Sequence, residues 1–138
     1  MAIGMTVLNG QVIESSESVA TASIEWASDT GGTVLNAGSG EWFTAVNIQV
    51  AVTFNASATG DCLVHVRKSA DGGTTEDTED EGTYAMKVPV SAGNTVNKSF
   101  DVYDFDYLDV GLENEDATYT ATWSAKWAGT KLTGLATS

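Results

Sequence analysis

The chain has 138 residues, 42% of them hydrophobic, and carries a formal net charge of −13 from six Lys plus Arg against 19 Asp plus Glu. That apolar content suits one domain with a core of its own, while the acidity excludes direct binding to a nucleic-acid backbone or an anionic membrane, which need clustered cations. The single cysteine, Cys62, excludes an internal disulfide and any Cys/His zinc spacing, and is expected as a buried small apolar residue.

The N-terminal stretch MAIGMTVLNGQVIESSESV has neither a basic start nor a long apolar run. It does not read as a secretory signal, and no stretch approaches the roughly 18 apolar residues of a membrane helix. Synthesis and folding in the cytoplasm are expected, and the sequons at 55–57 and 97–99 then carry no glycan. Residues 1–18 read as a polar, irregular arm that orders on a neighbouring subunit, with a short helical turn at 14–18.

From there the pattern is alternation. In VATASIEW, Ala20, Ala22, Ile24 and Trp26 are expected inward. AVNIQVAVTF places Val46, Ile48, Val50, Val52 and Phe54 on one face. After the turn NASATG, DCLVHVR places Cys62, Val64 and Val66 inward and Leu63, His65 and Arg67 outward. These two strands read as an antiparallel hairpin. TYAMKVPV puts Tyr84, Met86, Val88 and Val90 together, and Pro89, lacking an N–H, marks an edge strand or its end. Val96, Lys98, Phe100 and Val102 share a face, as do Leu108, Val110 and Leu112. ATYTATWSAKWAG reads as one long strand from 117, with Ala117, Tyr119, Ala121, Trp123, Ala125 and Trp127 buried.

Seven to nine strands between Gly- and Asn-rich turns predict an all-β, antiparallel β-sandwich of jelly-roll or immunoglobulin-like Greek-key type. The domain spans 19–133, and 134–138 form a tail.

The residues offer little chemistry. His65 is the only histidine, points off the apolar face and has no hydrolase motif around it. Asp101, Asp104, Asp106, Asp109, Glu113, Glu115 and Asp116 crowd one region, where a glycosidase pair is conceivable, but 19 acids bring carboxylates together by chance, and solvated loops explain them as well. The run DGGTTEDTEDEG at 71–82 holds six acids. Asp71, Glu76, Asp77, Glu79 and Asp80 offer oxygens for calcium, without the EF-hand spacing, and a polar hairpin tip explains the run more simply. Of the four tryptophans, Trp123 and Trp127 read as core, whereas Trp42 and Phe43 are the candidates for exposure and for sugar stacking. No catalytic, cofactor or metal residue is assigned, and no cofactor is expected.

Across residues 46–130, about three-fifths of the chain, the segments FNASATGDCLVHVRKSADGGTTEDTE and VPVSAGNTVNKSFDVYDFDYLDVGLENEDATYTATWSAKWAG resemble small structural proteins of tailed bacteriophages. The resemblance implies a non-enzymatic virion protein, a head decoration subunit or else a tail or neck component. It implies a location in the virion, self-association, and contacts to capsid or tail subunits. It carries over no site residue. The alternative is a carbohydrate- or receptor-binding sandwich of the virion.

Overall fold

A computed structural model describes residues 3–69 and 83–135. The acidic run 71–82, with its calcium candidates Asp71, Glu76, Asp77, Glu79 and Asp80, lies outside the described residues, as do 136–138 of the tail.

Among the described residues nine strands follow in chain order: β1 Gly4–Val19, β2 Ser23–Trp26, β3 Leu35–Asn36, β4 Trp42–Phe54, β5 Cys62–Ser69, β6 Thr83–Val88, β7 Thr95–Phe105, β8 Tyr107–Asn114 and β9 Ala121–Thr133. They form two antiparallel sheets. Sheet A runs β1-β9-β4-β7, and sheet B runs β2-β8-β5-β6 with β3 beside β2 along the same edge of β8. Most connections cross from one sheet to the other. This path is the jelly roll, which decides between the two sandwich topologies that the alternation allows.

The core lies between the sheets. Ile48, Val50 and Val52 of β4 and Trp123 of β9 face Val64 of β5 and Leu108, Val110 and Leu112 of β8, all at most 1% exposed. Phe43 stacks on Phe105 at 5.0 Å and meets Trp127 edge-on at 5.4 Å. Cys62 is fully buried, and burial, then Asp61, Asp116 and Glu115, push its thiol up to about 12. Val88 is buried on β6, which stops before Pro89 at the edge of sheet B.

Several expectations are corrected. Strands β4 and β5 are not a hairpin: β4 pairs with β7 and β9, and β5 with β6 and β8. The apolar face of β4 and the run Cys62, Val64 and Val66 of β5 meet across the core instead of side by side. Residues 14–18 are extended and make no helical turn; Ser16, at φ 51°, sits in an irregular stretch of β1. Gly4–Val19, which takes in most of the segment 1–18 expected as an arm, pairs along β9 of the same chain. The last strand begins at Ala121, not 117, because the Asp116 carboxylate draws in the N–H groups of Thr118 and Tyr119 and turns the chain there. Phe43 is core, at 3% exposure. Trp26 is buried on the outer face of sheet B, opposite Gly111, and does not enter the inter-sheet core.

Candidate functional site

Directly paired residues of neighbouring strands share a face, so the register fixes what each sheet shows to the outside. On sheet B, His65 and Arg67 alternate away from the core as expected, yet both are buried, at 6% and 5% exposure. Arg67 donates from Nη2 and Nε to Asp109 Oδ2 at 2.9 and 3.2 Å, and from Nη2 to Ser28 Oγ at 3.1 Å. Its guanidinium lies 4.3 Å over the Trp26 ring. His65 Nε2 sits 2.9 Å from Glu113 Oε1. A Cβ on Gly111 would come within 2.7 Å of the Trp26 ring, so only glycine leaves room for that ring on β8.

The candidate carboxylates are thus dispersed. Asp109 and Glu113 face outward on sheet B, paired to Arg67 and His65. Asp101 lies on the outer face of sheet A, taking a 3.0 Å hydrogen bond from Asn47 Nδ2. Asp116, in the connection from β8 to β9, is buried against the turn between β4 and β5. It accepts from the N–H groups of Thr59, Gly60, Thr118 and Tyr119 at 2.8–2.9 Å, bonds that hold its carboxyl well below the usual carboxylate range. Among the described residues no group of three or more His, Cys, Asp or Glu is placed to hold a metal ion.

The outer face of sheet A differs. A row of paired residues, Val7, Thr130, Ala45 and Tyr103, crosses all four strands, and the next row is Met5, Leu132 and Trp42. Val12 lies on the same face, paired with Lys126, and Ile3 continues the alternation of Met5 and Val7. Among the described residues the exposed large hydrophobics are Ile3 at 64%, Met5 and Val7 at 70%, Val12 at 60% and Tyr103 at 56%; all belong to this face. Of the side chains the pairings place there, Lys126 and Asp101 alone are charged. The rest are small, polar or aliphatic: Ser124, Ala128, Gln49, Ala51, Asn97 and Ser99 among them.

Two hollows adjoin this face. A shallow cleft of about 220 Å³ is lined by Val12, Glu14, Gln49, Ala51, Ser124 and Lys126, without an aromatic ring. A second, of about 330 Å³, opens at the β7 edge between Val66, Lys68, Ala85, Phe100 and Tyr103. The two residues singled out for sugar stacking part company: Trp42 is half-buried on the outer face of sheet A, whereas Phe43 is core, and Trp123 and Trp127 are buried as expected. The apolar patch of β1 went unread in the sequence, although the alternation Ile3, Met5, Val7 in a start free of charged residues is its signal.

No family model matches the chain, and no curated protein does. Solved structures with a similar chain path include a xylan-binding domain from Paenibacillus barcinonensis, at 16% identity and TM-score 0.40 over 97% of this chain and 83% of that one. A chain of the cowpea mosaic virus top component, a naturally occurring empty particle, matches at 11% identity and TM-score 0.46, over 72% of this chain and 60% of its own. A Clostridium thermocellum xylanase matches at 12% and 0.47 over 62% of this chain, which spans only 16% of that enzyme. At TM-scores below 0.5, these likenesses carry nothing about what this chain binds.

Proposed function

We propose that this chain is a non-enzymatic structural protein of a bacteriophage virion, seated on the particle through the outer face of sheet A. A head decoration subunit is the first form of this reading, and a tail or neck component the second. The observation that carries it is the gathering of Ile3, Met5, Val7, Val12 and Tyr103 on one near-neutral face of a chain with net charge −13. Contiguous exposed apolar surface of this kind marks contact with another protein, and a face nearly free of charge avoids the cost of burying unpaired ions. The resemblance of residues 46–130 to phage structural proteins supplies the setting.

Immunogold labelling of purified particles, with antibody raised to this chain, tests the reading. Regular labelling of heads or tails is expected, and a Val7→Glu chain added to particles stripped of the wild type is expected to rebind at least ten-fold less. Absence of the protein from particles sinks the proposal.

A second reading, a carbohydrate- or receptor-binding module, rests on Tyr103 beside the hollow at the β7 edge. It requires glycan binding that survives high salt and is lost in Tyr103→Ala.

A further inference from the structure

We propose that Ile3–Val7, at the start of β1, is a self-pairing edge: it adds antiparallel to the same segment of a second copy of this chain, about a two-fold axis at Met5. The inference rests on the reading of the protein as an assembling subunit and names its first partner.

Strand β1 is the last strand of sheet A on its side, bonded to β9 along one edge; no other strand of the described residues pairs with it. Its two halves differ. From Gly4↔Thr133 to Leu8↔Gly129 the register is unbroken, whereas shifts follow at Leu8/Gln11, Val12/Glu14 and Glu14/Glu17. Bulges and charges are the devices that keep a sheet edge from pairing with another chain. The second half has both, with its register shifts and with Glu17. The first half has neither, and it has no proline.

The occupant follows from charge. Residues 1–13 contain no Asp, Glu, Lys or Arg, so a basic partner finds nothing there to pair with. A second copy, at −13, is repelled by most of the molecule and meets no acid on this stretch. An isologous contact uses the same patch twice, and this patch complements itself. With the axis at Met5, Ile3 stands opposite Val7 of the second copy, Met5 opposite its Met5, and Val7 opposite its Ile3. Those side chains, 64–70% exposed in one copy, then cover each other. The outer faces of the two A sheets come to lie on one side, as a continuous apolar platform turned toward the particle. A contact this short falls below the ~1,000 Å² of a stable free complex, so it is weak in solution and strengthened by shared docking.

Cysteine cross-linking at about 1 mM protein reads the register directly, since a disulfide needs Cα atoms within about 7 Å. The native Cys62 is fully buried and does not compete. Met5→Cys is expected to form disulfide dimers at least ten-fold faster than Val7→Cys, whose two copies would sit about 14 Å apart along the pair. A mixture of Ile3→Cys and Val7→Cys chains is expected to cross-link to each other. Adding Val7→Lys to the Met5→Cys chain should abolish its dimer. Absence of Met5→Cys dimers, or equal rates at both positions, overturns the pairing. Particles that carry the protein without the Met5→Cys cross-link would sink the pairing alone, and cross-linked dimers absent from particles would sink the virion reading alone.

Discussion

At the corner between β4 and β5, one carboxylate gathers four backbone N–H groups. Those of Thr59 and Gly60 reach one oxygen of Asp116, and those of Thr118 and Tyr119 the other. The donors favour the anion over the acid, with the Thr59 bond the largest contribution, and burial opposes them less strongly. A carboxyl depressed on folding stabilises the protein fully above its unfolded value of about 4 and loses that stabilisation as pH falls toward the folded value. The urea midpoint should therefore hold near neutrality and fall steadily below about pH 4. Asp116→Asn turns an amide donor toward two N–H groups; it should lower the midpoint at pH 7 and flatten the acid-side decline. The Arg67–Asp109 pair makes a different demand. Both groups are buried, and removing either one breaks a 2.9 Å ion pair and leaves a buried charge less well compensated. Arg67→Met or Asp109→Leu alone should cost about 3–5 kcal/mol, and the double variant distinctly less than the sum. A thermodynamic cycle built from urea unfolding measures the difference.

Among the elements, β2 and β8 are locked by a ring over a glycine. In Gly111→Ala the added methyl would meet the Trp26 ring at 2.7 Å, so the ring must lift from β8 and give up its place against Arg67. An overpacking cost of about 1–3 kcal/mol is expected, with a red-shifted tryptophan emission to report the movement. The same pair shows what alternation can reveal. In β4, β5, β8 and β9 the middle of one face is apolar, and period two named Val50, Val64, Leu112 and Trp123 as core from the sequence. Strand β2 is only four residues long, and its Trp26 is satisfied by a guanidinium on the outside, so hydrophobicity assigned it to the wrong face. Partnership was less legible than facing: nothing in AVNIQVAVTF tells that its neighbours are β7 and β9, more than 40 and more than 65 residues away in the pairing register, and not the strand that follows it. The face most open to contact was hidden for a related reason. Ile3, Met5 and Val7 align with Leu132, Trp42 and Tyr103 only once the sheet is assembled.

Taken whole, the molecule is a jelly roll that closes its chain upon itself: the earliest of the nine strands lies against the latest. Gly4–Leu8 bonds to Gly129–Thr133, about 125 residues downstream. At translation rates of roughly 5–20 residues per second, that strand waits about 6–25 s on the ribosome before its own partner emerges. During the wait it offers an uncharged, aliphatic ribbon with both edges unsatisfied, in cells where neighbouring ribosomes on one message carry the same ribbon. The acidic remainder of each nascent chain then has a kinetic role, since like charge holds adjacent chains apart while the sandwich is unfinished. The place where a subunit can later meet its twin is also the place where two half-made copies are most exposed to premature entanglement, and the order of synthesis decides which happens first.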